Sequence, residues 1–252
     1  PDSYFVDYVL SEMEEKYEKE FIHFGGLKIF TTLDSGMQRA ALDAAEKHTR
    51  FLESRMLKEE GQGPLETAVV TVDNLSGAIR VLLGGLDYSK SQFNRAVSNN
   101  RMPGSSFKPF VYMSAFENLG YHPGSIFVDE PISMDIPGTT PWAPNNFNDE
   151  FKGPVILKEA LANSINVIAA KLMYELSPKK VIQTARKFGI SSPLNNNYSL
   201  ALGSSGISVL ELASAYSVIA NLGTYKEPFI VFRVEDHGGN ILYDHFIEKP
   251  KR

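Results

Sequence analysis

Apolar positions Tyr4, Phe5, Tyr8 and Val9 fall on one side of a charged amphipathic helix predicted over residues 1–20. From Glu12 to Glu20 acids alternate with lysine, the pattern of a solvated face. Gly25-Gly26 breaks the helix. Residues 27–33, rich in β-branched and aromatic side chains, then read as a strand. Asp34 or Ser35 can cap a helix running from Met37 to about Lys58, and residues 61–64 form a loop. Two strands follow, 67–72 and 78–83, joined by a turn at Asp73–Gly77.

Beyond Gly84-Gly85 the chain turns polar up to Asn100. Pro103-Gly104 then opens an apolar run to about Leu119, which reads as a buried helix. Residues 121–154, rich in Pro, Gly and Asn and holding the only tryptophan, Trp142, are predicted as a long irregular excursion of the kind that often carries function. Helix returns over 155–176, with a break, and again over 178–189, with Ser177 as N-cap and Pro178 in the first turn. A last apolar helix spans 208–220. A hairpin of 229–234 and 241–246 turns around Gly238-Gly239.

The chain has 252 residues, 43% of them hydrophobic, enough for a sizeable core. A net charge of −5 argues against a nucleic-acid binder, whose binding face is basic. With no cysteine, disulfides, thiolate catalysis and cysteine–zinc sites are excluded. No apolar run is long enough to span a bilayer. A chain opening on Pro1 is expected to be a piece of a longer one.

Candidate chemistry concentrates in Arg101-Met-Pro-Gly-Ser-Ser-Phe-Lys-Pro-Phe110. Ser105 and Lys108 share a helical face, and a serine hydroxyl needs a base before it can attack. The Ser-x-x-Lys spacing is an established signature of acyl-serine chemistry. Lys108 sits among Phe107, Phe110 and Val111, where an unpaired ammonium is costly and burial lowers the lysine pKa. Ser105 at the start of the helix would also meet the positive end of the macrodipole. The same spacing recurs at Ser177-Pro-Lys-Lys180, which helix capping explains better.

Ser164-Ile-Asn166 is a second polar island, set in the apolar run Ala160 to Ala170. A hydroxyl there could relay a proton and an amide could hold substrate or lysine. A helix break with Ser or Asn as the next cap accounts for it equally well. Its decoy, Ser98-Asn-Asn100, lies in a polar loop. The five histidines have no metal-binding spacing, and there is no G-x-S-x-G elbow, Walker A or dinucleotide fingerprint. Asp129-Glu130 and Asp149-Glu150 could suggest paired carboxylates for glycoside cleavage, but acids in a loop are more often just solvated, which is the expectation here.

Taken together and in order, these stretches resemble the transpeptidase half of class A penicillin-binding proteins, the bifunctional enzymes of peptidoglycan synthesis. Gly25-Gly-Leu-Lys-Ile-Phe-Thr-Thr-Leu-Asp34 with Gln38 is similar to the entry into that domain. Arg101 to Tyr112 is similar to the nucleophile motif with its flanks. Trp142-Ala-Pro-Asn-Asn-Phe147, Gly153 and Ala160 to Asn166 are similar to the run into the second motif. Ala201-Leu-Gly203, Leu212 to Tyr216 and Asn221-Leu-Gly223 also fit.

The resemblance implies an α/β fold, mixed helices around an antiparallel sheet, incomplete in this chain. Residues 1–33 would be a linker after a glycosyltransferase domain, and 34–252 the first portion of the transpeptidase domain. Ser105 would be the acylated nucleophile, Lys108 its base and Ser164 the proton shuttle. Asn166 would hold substrate, with Trp142 and Asn146 as further substrate contacts. The backbone N–H of Ser105 would form half of an oxyanion hole. The donor would be a stem peptide ending in D-Ala-D-Ala, the acceptor a neighbouring amine, and β-lactams would acylate Ser105. No cofactor, metal or nucleic acid is implied. The location would be the outer face of a bacterial cytoplasmic membrane, through an anchor preceding this chain.

The family's third motif, Lys-Thr/Ser-Gly, is missing from the sequence. It is expected beyond residue 252, and a C-terminal fragment of the same protein is the expected partner that completes the fold. Two other classes stay open: a D,D-carboxypeptidase or β-lactamase, and a non-catalytic β-lactam sensor or scaffold. A class A β-lactamase carries a glutamate downstream of its S-x-N, and residues 194–204 contain none.

Overall fold

The computed structural model describes residues 3–56, 63–136, 138 and 140–247. In chain order the elements are helices α1 (Tyr4–Glu14) and α2 (Lys19–Phe24), strand β1 (Lys28–Thr31), helix α3 (Ser35–Glu53), and strands β2 (Val69–Val72) and β3 (Ile79–Leu83). Then come α4 (Lys108–Leu119), β4 (Ile126–Asp129), β5 (Gly153–Ile156), α5 (Leu157–Ala162), α6 (Asn166–Leu176), α7 (Pro178–Lys187), α8 (Val209–Ala220), β6 (Val231–Glu235) and β7 (Ile241–Asp244). The chain forms two compact units, one from residues 1–98 with 208–252 and the other from 99–207.

The first unit is built on antiparallel strands, β6 pairing with both β1 and β7, beside the hairpin β2–β3. The hairpin turn forms as its sequence requires. Asp73 Oδ1 accepts from the N–H of Ser76 at 2.8 Å, and Gly77 takes φ +84°, which glycine adopts without strain. Asp34 caps α3, its Oδ1 accepting from Met37 N–H at 2.9 Å. Gln38, one turn later, meets β3 as another strand would, donating to Leu82 O at 3.1 Å and accepting from Leu82 N–H at 3.0 Å. α8 carries a full capping box between Ser208 and Glu211.

The amphipathic helix expected over 1–20 is two helices, with residues 15–18 between them. Tyr4, Phe5, Val9 and Met13 are buried and pack with Ile79, Leu82, Val231 and Val234. Ile22 joins them, so side chains from α1 and α2 help build this core. The helix expected to reach Lys58 ends at Glu53; residues 57–62, with the first part of the expected loop, lie outside the described residues.

The second unit packs around α4 and α6. Phe107, Phe110, Val111 and Ala115 are fully buried on the α4 side, and Val167, Ile168, Ala170, Leu172 and Met173 on α6. Glu117 and Asn118 on α4 and Glu175 on α6 mark the narrower faces these helices leave to solvent. The excursion over 121–154 is less irregular than expected. β4 pairs with β5, Ile126 opposite Ile156 and Asp129 opposite Gly153, and Met134 bridges Trp142. Gly153 and Pro154 hide the second strand from a propensity reading. Ser177 precedes α7 but at φ +69° and without a side-chain cap bond, so only its position as a helix opener holds.

Candidate active site

Ser105 lies in a 3-10 turn, Gly104–Phe107, that leads straight into α4 at Lys108. Residues three apart eclipse in such a turn, which sets Ser105 and Lys108 on one face. The turn is held from below by Gly203: its carbonyl accepts from Gly104 N–H at 3.3 Å, and its own φ is +73°. A Cβ at 203 would lie 2.1 Å from Gly104 O, so only glycine fits beneath the turn that holds Ser105. Ser105 is exposed, whereas Lys108 is only 1% exposed.

Lys108 Nζ meets three oxygens: Ser164 O at 2.6 Å, Ser164 Oγ at 2.9 Å and Asn166 Oδ1 at 2.6 Å. An ammonium has three protons, and each has an acceptor here. Burial nevertheless lowers the Lys108 pKa from 10.5 to about 8, because a charge held away from water is penalised more than these bonds repay. Among the described residues no hydrogen bond joins Lys108 to Ser105. The structure thus brings together Lys108, Ser164 and Asn166, with Ser105 one turn upstream.

Ser164 owes its position to the way α5 ends. Ser164 N–H donates to Leu161 O at 3.0 Å and Ile165 N–H to Ala160 O at 2.9 Å, the paired bonds of a Schellman motif. Ser164 occupies its left-handed position at φ +55°, where glycine is the usual residue and a side chain costs about 1–2 kcal/mol. The reversal points both its carbonyl and its hydroxyl at Lys108. Asn166 then starts α6 and donates through Nδ2 to Asn145 O at 2.9 Å.

A family model described as "Penicillin binding protein transpeptidase domain" matches residues 67–252. The chain belongs to this transpeptidase family. Penicillin-binding protein 1A of Pseudomonas aeruginosa is 38% identical over 180 residues, covering 71% of this chain and 22% of that protein. Penicillin-binding protein 2D of Bacillus subtilis is 33% identical over 247 residues, covering 96% of the chain and 34% of that protein. The chain therefore spans about a third or less of the curated relatives it matches.

Penicillin-binding transpeptidase structures share the fold. The crystal structure of penicillin-binding protein 1A from Haemophilus influenzae superposes with TM-score 0.82 at 24% identity, over 96% of this chain and 49% of that one. The PonA1 protein of Mycobacterium tuberculosis in complex with penicillin V does so with TM-score 0.81 at 29% identity, over 95% and 64%. The expected mixture of helices and antiparallel strands is thus that of penicillin-binding transpeptidases.

Within this transpeptidase domain the remaining expected residues fall on the excursion. Trp142 is half-buried and held by its backbone, donating to Met134 O at 2.9 Å and accepting from Met134 N–H at 2.8 Å. Asn146 spends its amide on the protein: Oδ1 accepts from the N–H groups of Asn166 and Val167, and Nδ2 donates to Asp129 and to Glu150 O. Asp129, expected to be solvated, is 1% exposed and accepts from Asn146 Nδ2 through both oxygens. Sequence reasoning missed Asp129 and the need for glycine at 203. In the second Ser-x-x-Lys, Lys179 and Lys180 are exposed, unlike the buried Lys108.

Proposed function

We propose that the protein carrying this chain is a D,D-transpeptidase that cross-links peptidoglycan stem peptides through an acyl-serine on Ser105. The observation that carries this reading is the buried Lys108, poised near pKa 8 and bonded to both Ser164 and Asn166. Neutral Lys108 takes the Ser105 proton as Oγ attacks the carbonyl carbon of the penultimate D-Ala. The tetrahedral adduct collapses, and Lys108 returns the proton through Ser164 Oγ to the departing D-Ala amine. An acceptor amine then attacks the acyl-serine, loses its proton along the same route and frees Ser105.

Two carbonyl-type acceptors, Ser164 O and Asn166 Oδ1, hold two N–H bonds of the neutral amine. That leaves its lone pair for Ser164 Oγ or, after a small rotation, for Ser105. Trp142 offers an aromatic face to the stem peptide. The wall that receives the substrate carboxylate, with the Lys-Thr/Ser-Gly motif, belongs to a segment following residue 252, and the domain works on the outer face of the cytoplasmic membrane. The greater length of the relatives and the penicillin V complex of PonA1 support this reading.

The test is product analysis. Full-length protein given a peptide ending in D-Ala-D-Ala and an amine acceptor will release D-Ala and form a cross-linked peptide in matching amounts. Release of D-Ala with hydrolysed donor alone would instead support the carboxypeptidase class, and neither product would sink the enzyme reading.

Ser164→Gly separates the relay from the fold. Glycine relieves the left-handed strain, against a loss of about 1 kcal/mol from chain entropy and of about 1 kcal/mol from the missing hydrogen bond. The unfolding temperature is therefore expected to stay near wild type, while cross-linking falls about 100-fold. Calorimetry beside the product assay reads both.

A further inference from the structure

α6 begins without a cap of its own. Ile165 stands at its N-cap with no side-chain hydrogen bond to give, although a helix start leaves its first N–H groups unsatisfied. Asn146 supplies what Ile165 lacks. Its Oδ1 accepts from Asn166 N–H at 3.0 Å and Val167 N–H at 3.2 Å. The other end of the same carboxamide is anchored, Nδ2 donating to the Asp129 oxygens at 2.9 and 3.1 Å and to Glu150 O at 2.9 Å.

Asp129 closes the arrangement. It is 1% exposed, also accepts from Lys152 N–H at 3.0 Å, and takes part in no ion pair among the described residues. Burying a carboxylate costs free energy unless its oxygens are hydrogen-bonded. A carboxylate can only accept, so Asp129 draws the NH₂ of Asn146 toward itself and turns the amide oxygen toward α6. An amide turned the other way would set NH₂ against the helix N–H groups and uncap α6. Asn166, the first residue of α6, holds Lys108 Nζ at 2.6 Å.

We propose that Asp129 and Asn146 are positioning residues for acylation. Asp129 orients the Asn146 amide, Asn146 fixes the start of α6, and Asn166 thereby holds Lys108 where it can serve Ser105. The inference rests on the acyl-serine reading and deepens it. It adds a connected chain of hydrogen bonds, Asp129 to Asn146 to Asn166 to Lys108, whose members strengthen one another.

The experiment measures acylation of the full-length protein by a fluorescent penicillin over a range of concentrations. This separates the dissociation constant of the first encounter from the acylation rate constant, and thermal unfolding is followed beside it. Asn146→Asp sets two carboxylates face to face, and the acylation rate constant is expected to fall about 100-fold with the dissociation constant little changed. Asp129→Asn, close in shape, is expected to lose about tenfold.

The exchanged pair, Asp129→Asn with Asn146→Asp, keeps the net charge. It rebuilds one donor–acceptor bond between 129 and 146 with a carboxylate oxygen facing α6, and gives up the second, longer bond between them and the bond to Glu150 O. Its rate constant is expected to return to within about fivefold of wild type. A wild-type rate in Asn146→Asp, or no recovery in the exchanged pair while its unfolding temperature is normal, overturns the inference alone. If Asn146→Asp does not fold, Asp129→Asn and the exchanged pair decide. Absence of acylation in wild type overturns the acyl-serine reading, and this inference with it.

Discussion

Full-length protein incubated with benzylpenicillin will gain the mass of one penicillin on the peptide that holds Ser105, and Ser105→Ala will gain none. The effect is all or nothing because the adduct is a covalent bond to that oxygen. Opening the β-lactam ring leaves the expelled amine tethered to the acyl group, so the ester outlives the encounter and can be weighed. Ser106 is the natural control. Its Oγ donates to Pro103 O at 2.6 Å, which commits its proton to the backbone, so Ser106→Ala is expected to keep the adduct. An adduct surviving in Ser105→Ala would move the nucleophile elsewhere and sink the assignment.

Why Ser105 and Lys108 were legible in the sequence, and Asp129 was not, follows from how each carries its signal. Lys108 interrupts an apolar run, and a charge placed where burial is predicted needs a chemical reason. That contradiction is local and visible. The hairpin of β2 and β3 was equally visible, because Asp73 and Gly77 satisfy and bend the turn by themselves. Asp129 sits in a Pro- and Gly-rich stretch whose ladder, β4 with β5, joins residues far apart in sequence. Nothing nearby announces that its carboxylate is buried, since its main partner, the Asn146 amide, lies in another part of the excursion.

The break inside 155–176 was foreseen, but its conformation was not. Serine is an improbable occupant of a left-handed helix terminus, and only the two Schellman bonds show that Ser164 holds it. Similarly, the run of charges that looked like one solvated helix conceals a break at residues 15–18, because alternating acids and lysines suit a helix end as well as a helix surface. In each case what escaped was a tertiary choice between local conformations that the sequence permits equally.

Lys108→Arg carries the second large effect. Arginine keeps a positive charge and donors for Ser164 and Asn166, but in a protein it does not give up its proton. If Lys108 acts as the base, acylation will fall about 10²–10⁴-fold, the range for loss of a general base. If it serves only as a fixed charge, most activity will remain, and that result would remove it from the base role. The pH profile of the wild type checks the same point. With a pKa of about 8, about one Lys108 in ten is neutral at pH 7, against about one in 3,000 for an unshifted lysine at 10.5. The acylation rate is therefore expected to rise about tenfold per pH unit below 8 and to level off above it. The same burial destabilises the fold. Unfolded lysine loses its proton near 10.5 and folded Lys108 near 8, so below pH 8 the native state bears the full cost of a buried ammonium, about 3 kcal/mol. That cost fades as pH rises from 8 to 10.5, so the linkage of stability to pH and the ascent of the rate both turn on one proton.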